Sequence, residues 1–272
     1  PYQDIRDYYA KWYRPDLQGI MIVGDINVDE MEAKLKKVFA DVKAPVHPAN
    51  RIYYPVADNQ EPLIFIGTDK EIETPSISFF FKSEAFPDSL KNTINYYGIQ
   101  YMLSMGISML NSRLAEIRQQ ADPPFTGASA GYGDFFVAKT KSAFGIDASS
   151  KIGGIELAMK TILEEAERAR RFGFTETEYD RARANYLQRV ESAYNEREKM
   201  KNDTYVNEYI SNFLDNEPMP GIEYEYAMMN KLAPNIPVTA INQVMQQLIT
   251  DNNQVVLLAG PEKEGLKYPT KE

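Results

Sequence analysis

A single imidazole and no thiol are all that this 272-residue sequence offers for metal or nucleophile chemistry: His47 is its only histidine and it has no cysteine. A hydrolytic zinc needs several nitrogen or carboxylate donors, and a histidine relay needs its imidazole set against a nucleophile. His47 lies between Pro45 and Pro48 in a polar stretch, with no tight acidic cluster beside it, so a solvated loop residue is expected. The run Gly127-Ala128-Ser129-Ala130-Gly131 formally matches G-x-S-x-G, whose chemistry needs the serine on a strand-to-helix turn and a histidine later in the chain. Here a second strand pattern follows and the histidine comes before, so a strand of closely packed small residues is expected. Gly131-x-Gly133 lacks the third glycine of a dinucleotide loop, Phe136 standing in its place. Glu164, Glu165 and Glu167, and the charged run 195–199, carry mixed charge at helical spacing, the pattern of a solvated helix face rather than of an acid pair. No catalytic residue and no metal ligand is expected in the chain itself.

Composition narrows the function classes further. Hydrophobic residues at 43% and charged residues at 25% suit a folded globular chain, and the length suits one large domain or slightly more. The balance of 30 basic against 39 acidic residues gives −9, which on average repels phosphate backbones, so nucleic acid is not an expected partner. Apolar runs such as residues 20–23 are strand-sized, far short of the roughly 18 uncharged residues a spanning helix needs, so no membrane span is expected. The absence of cysteine leaves the compartment undecided. Pro1 opens the sequence with no Met or apolar leader, as in a piece of a longer polypeptide.

The elements that position these residues follow from periodicity. A helix is expected over 2–13, stopped by Arg14-Pro15, then a doubly buried strand over 19–26 and a helix opened by Asn27 with Glu30 three residues on. Residues 43–59, with three prolines, read as a surface connection. Two β-rich runs, 63–68 and 76–82, predict a hairpin. After Pro87, Asp88 or Ser89 suits the cap of a long helix to about Gln120, whose Tyr and Met stripe reads as core. Residues 125–130 and 135–149 read as two antiparallel strands, with Gly131 and Gly133 between them. A helix through Ile155 and Ile162 ends at Gly173, and Thr175-x-x-Glu178 opens another, expected to run to about Asn216. Residues 237–249 read as helix and 254–260 as a final buried strand. The two ends echo each other, helix then IMIVGD and helix then VVLLAGP, with Gly24 and Gly260 separated by 260 − 24 = 236 positions, as in a duplicated architecture.

Tyr9-Ala10-Lys11-Trp12-Tyr13-Arg14-Pro15-Asp16, followed by the apolar run to Gly24-Asp25, resembles the M16 (pitrilysin/insulinase) family of zinc metallopeptidases. Ser112-Arg113-Leu114 with Glu116-Ile117-Arg118 is similar to that family's S-R-L-x-x-x-L-R helix end, and Gly173-Phe174-Thr175 with Glu178 to its G-x-T-x-x-E-L joint. The resemblance extends from about Tyr8 to Pro261. It implies an α+β fold, a mostly antiparallel sheet backed by helices of the LuxS/mitochondrial-processing-peptidase-like metallohydrolase type, with domains paired into halves that close around peptides. The family binds zinc with H-x-x-E-H and a later Glu; none of this is present. The chain therefore resembles the non-catalytic, C-terminal-type M16 domain over residues 17–272, with 1–16 as the terminal helix of a preceding domain.

The resemblance also supplies candidate substrate-binding residues. The family's R-x6-Y pair, which helps hold substrate, is matched at Arg118 but has Phe125 at the tyrosine position, so no phenol is present to hydrogen-bond there. This departure fits a companion domain within the zinc-bearing half. Arg118 also suits a simple helix C-terminus. The following strand, with Thr126, Gly127, Gly131 and Gly133, is small enough to let an extended peptide pair with its backbone. The implied partners are the preceding zinc-bearing domain, the parent's second half and a peptide substrate, with zinc in the parent and none bound by this chain. Two other readings remain: a non-enzymatic scaffold that keeps the fold, and an unrelated peptide-binding module.

Overall fold

The computed structural model describes residues 1–271. In chain order the elements are α1 (Tyr2–Trp12), α2 (Val28–Val38), β1 (Leu63–Asp69), β2 (Ser76–Glu84), α3 (Ile94–Arg118), β3 (Gly127–Asp134), β4 (Lys141–Ser149), α4 (Ile155–Phe172), α5 (Glu176–Asn195), α6 (Asn202–Asp215), α7 (Ile222–Leu232), α8 (Val238–Leu248) and β5 (Gln254–Pro261). They form two compact units. The first comprises residues 1–52 and 195–221, the second residues 53–194 and those from 222 onward.

In the second unit, five strands make one sheet in the order β1-β5-β2-β4-β3, parallel between β1 and β5 and antiparallel elsewhere. The expected hairpin of β1 with β2 is therefore corrected: β5 lies between them, pairing Phe65 with Leu257 on one side and Ile77 with Leu258 on the other. The run Val255–Leu258 is largely buried, and such a run gains most in the middle of a sheet, whereas Leu63 and Phe65 of β1 stay exposed at its edge. Alternate residues of the central strands, Ile77, Phe79 and Phe81 with Phe144, Ile146 and Ala148, face a core completed by α3, α4 and α8. The mostly antiparallel, helix-backed α+β sheet is thus as expected.

Local chemistry explains most element ends. Thr93, not Asp88 or Ser89, caps α3, its hydroxyl accepting from Tyr96 N–H at 3.3 Å; residues 88–90 form a short 3-10 turn. At Gly106, where α3 crosses α8, an added Cβ would sit 2.5 Å from Met245 Sδ, so the helix approach requires a bare Cα. β3 and β4 pair as expected, but Gly131 and Gly133 lie inside β3, not between the strands. The surface segment before β1 is strapped to the sheet: Lys82 Nζ donates to Ala57 O at 2.5 Å, and Lys141 pairs with Asp58 at 2.8 Å and with Glu84. Burial, opposed by Asp58, holds Lys82 below the ordinary lysine range. Nothing in the spacing marks α7, whose Met228 and Met229 are buried.

In the first unit, Asn27 caps α2 as expected, its side chain accepting from Glu30 N–H at 3.1 Å. Arg14 of the Trp-Tyr-Arg-Pro run donates to Ala49 O at 2.6 Å and pairs with Asp16. The strand expected over 19–26 is corrected. The segment forms no ladder among the described residues, bends at Gly24 and Asp25, and leaves Ile20 and Ile22 exposed. Apolar character alone cannot make a strand when no neighbour takes its backbone N–H and C=O groups. The long helix expected to Asn216 is also corrected. It breaks after Asn195 and resumes as α6 at Asn202, because from 195 to 204 only Met200 is apolar and no face there can be buried.

Candidate functional site

Two motifs that lie far apart in sequence form one buried interaction. Arg113 of α3 donates from Nε to Glu178 Oε1 at 2.7 Å and from Nη2 to Glu178 Oε2 at 3.1 Å and Gly173 O at 2.9 Å. Its guanidinium carbon sits 4.4 Å from the Phe174 ring centroid. Glu178 also closes the expected capping box, accepting from Thr175 N–H at 2.7 Å and from the Thr175 hydroxyl at 3.0 Å. Gly173 holds φ +68°, and the Asn242 amide on α8 fills the space over it, pairing with both backbone groups of Phe174. The S-R-L and G-x-T-x-x-E runs are thus a structural clasp joining α3 to the α4–α5 joint.

Burial alone raises the Glu178 pKa, but the hydrogen bonds from Arg113 and then Thr175 outweigh it and bring the carboxyl down to about 2. The folded value lies below the unfolded one, so the stabilisation is full above about pH 4.5 and is lost as pH falls toward 2. The shift corresponds to something on the order of 3 kcal/mol. The stability gap between the parent sequence and Glu178→Gln, measured from urea midpoints, is expected to narrow steadily from pH 5 to pH 2. A gap independent of pH would refute this account.

The second feature is the free edge of β3. Phe135 N–H donates to Lys141 O at 2.9 Å, so in the register of β3 with β4 the odd-numbered residues spend their backbone groups on β4. The even-numbered residues Ala128, Ala130, Tyr132 and Asp134 turn theirs toward the open edge. At Ala130 that pair is already taken: Asn111 Nδ2 donates to Ala130 O at 3.0 Å, and Ala130 N–H donates to Asn111 Oδ1 at 2.7 Å. Beside the edge runs a cleft of about 690 Å³ between α3 and β3, lined by Leu103, Ile107, Asn111, Gly131 and Tyr132 among others, with no charged residue.

The candidate residues fall unevenly around this edge. Arg118 is the exposed last residue of α3. Phe125 is wholly buried in the core, so its ring faces the sheet's interior and not the surface a peptide would meet. Thr126 spends both its N–H and its hydroxyl on Ser149 O, at 2.8 and 3.1 Å. Gly127, Gly131 and Gly133 occupy regular strand, and a Cβ on any of them would meet nothing within 4 Å. The backbone groups turned to the open edge and not taken by Asn111 belong to Ala128, Tyr132 and Asp134, which spacing alone did not single out. Knowing which strand β3 pairs with would have revealed them, since pairing parity decides which residues face outward. Ser129 stands exposed in mid-strand, not on a strand-to-helix turn.

Zinc does not fit the residues present. His47 is exposed in a loop at φ +58°, and among the described residues no group of three or more His, Cys, Asp or Glu side chains could hold a metal. Among the described residues, no helix is long and apolar enough to cross a membrane.

Comparison with known proteins bears on this geometry. The chain is 27% identical over 263 residues to a "Zinc protease PQQL-like" protein of Arabidopsis thaliana, covering 96% of this chain and 24% of that one. It is 22% identical over 245 residues to the "Probable zinc protease PqqL" of Escherichia coli, covering 90% and 26% respectively. The chain thus spans about a quarter of the length of these relatives. The crystal structure of the first half of the periplasmic protease PqqL from Escherichia coli superposes with a TM-score of 0.78 at 20% identity, covering 95% of this chain and 54% of that one, which shows a shared fold. The sequence profile described as the peptidase M16 inactive domain matches residues 1–186. With more than half its length matched by that profile, the chain belongs to the peptidase M16 inactive-domain family.

Proposed function

We propose that this chain is the non-catalytic part of a multidomain M16-type zinc metalloendopeptidase, with the finer fold of the LuxS/mitochondrial-processing-peptidase group, where it walls the proteolytic chamber and positions peptide substrate. Zinc and its H-x-x-E-H donors belong, in this reading, to residues outside the chain. Residues 1–16 are the terminal helix of the preceding domain. The absence of any buried residue on α1 supports this. The implied partners are that domain and the parent's second half.

The observation that carries substrate positioning is the edge of β3: backbone donors and acceptors face outward beside an uncharged cleft, in a chain whose relatives are named proteases. An extended peptide satisfies such an edge with its own backbone, whatever its side chains. Gly127, Gly131 and Gly133 leave the neighbouring face bare, and Arg118 stands near the strand's start in sequence with its charge available to a peptide carboxylate.

The chain alone is expected to hold less than stoichiometric zinc and to cleave no fluorogenic peptide, whereas a parent carrying an upstream H-x-x-E-H is expected to bind zinc and to cleave the peptide. Metal analysis beside an activity assay on the two proteins decides it. Equimolar zinc with cleavage by the isolated chain would overturn the reading. An inert parent with no zinc motif would favour a scaffold that retains the fold.

A further inference from the structure

Asn111 imitates one residue of a neighbouring strand. Its amide both donates to and accepts from the backbone of Ala130, as an adjacent chain would, and it does so from α3 without adding a strand. A hydrogen-bonded pair in an antiparallel ladder has this same reciprocal form. The consequence is positional, because Ala130 lies between Ala128 and Tyr132, the other edge-facing residues of mid-strand. A peptide laid along the whole edge would need the groups that Asn111 already occupies. The cleft runs along α3 from Gln100 to Ala115, and most of its α3 lining precedes Asn111, alongside the Tyr132 end of the strand.

Resting on the edge-pairing reading above, we infer that Asn111 sets the register of the bound peptide: it closes the edge at Ala130 and confines the added strand to Tyr132 and Asp134. The occupant is an extended peptide segment with uncharged side chains where it lies in the cleft, since no charged residue lines it. Side chains of a strand repeat every two residues, so a register set at one point fixes which peptide bonds can lie over a distant reactive centre. Asn111 is accordingly a positioning residue. It touches the strand that receives the peptide and acts on the cut through that strand.

The test uses the intact parent protein. With metal removed by chelation, an N-acetylated, C-amidated Ala/Ser peptide of about six residues is added, and amide exchange is resolved residue by residue along β3. In the unsubstituted protein the peptide is expected to slow exchange at Tyr132 and Asp134 by about tenfold or more while leaving Ala128 unchanged. In Asn111→Ala, protection is expected to spread to Ala128 and Ala130. With metal restored, longer peptides are expected to yield additional products offset by two residues. Asn111→Asp keeps the acceptor for Ala130 N–H but loses the donor to Ala130 O, and is expected to give the offset products at a lower level. Protection along the whole edge of the unsubstituted protein, or unchanged protection and cut sites in Asn111→Ala, would overturn the register role and leave edge pairing standing. No slowing anywhere on β3 in either protein would overturn edge pairing itself.

Discussion

Arg113→Leu is expected to lower stability by about 3–5 kcal/mol, the usual cost of leaving one member of a buried ion pair unpartnered. Arg113 is 9% exposed and satisfies at once the Glu178 carboxylate, the end of α4 at Gly173 O and the face of Phe174. Removing it strands a carboxylate whose remaining protein donors come from Thr175 alone. At about 2–4 °C per kcal/mol for a unit of this size, the unfolding temperature should fall by about 6–20 °C. Arg113→Lys should recover little, because an ammonium cannot reproduce the two-pronged contact. The double variant Arg113→Leu with Glu178→Leu should lose less than Arg113→Leu alone, since it leaves no orphaned charge. A thermal melt of Arg113→Leu within about 2 °C of the parent sequence would show that the clasp carries no stability.

Gly173→Ala is expected to cost about 3 kcal/mol or more, from two sources acting together. At φ +68° and ψ −156° the backbone occupies a region that only glycine enters without strain of about 1–3 kcal/mol. The added methyl would also collide with the Asn242 side chain, whose amide holds both backbone groups of Phe174. Displacing that amide leaves buried polar groups unsatisfied. Urea unfolding of Gly173→Ala against Asn242→Ala separates the sources: strain requires the glycine variant to be worse than the asparagine variant. Equal losses would leave only the lost hydrogen bonds.

Much of this clasp was legible in the sequence as two separate signals. Gly173 read as a helix end and Thr175-x-x-Glu178 as a helix start, because both are local chemistry within a few residues. That Arg113 joins them was not legible, since spacing carries no information about which distant helix a side chain will meet. Strands show the same limit. The apolar run 254–260 announced burial on both faces but not its neighbours, and the seemingly adjacent β1 and β2 accepted it between them. Residues 19–26 carry the same kind of run, yet find no partner among the described residues and form no ladder. The candidate site divides along the same line. The small residues of β3 were visible, but the residues turning their backbone outward depend on pairing parity, so Ala128, Tyr132 and Asn111 emerged only from the folded chain.

The place of β5 has a consequence for how the chain is made. Between the end of β2 and the start of β5 lie 254 − 84 = 170 positions, so at about 5–20 residues per second the ribosome needs roughly 10–30 s to supply the strand that belongs between β1 and β2. Throughout that interval β1 lacks its native ladder partner, and β2 has both flanks bare until β4 is made and one bare flank after it. The nascent protein therefore carries a vacancy one strand wide through the middle of its future sheet, open to any extended apolar segment nearby. Accurate assembly depends on that vacancy being shielded until the correct strand emerges.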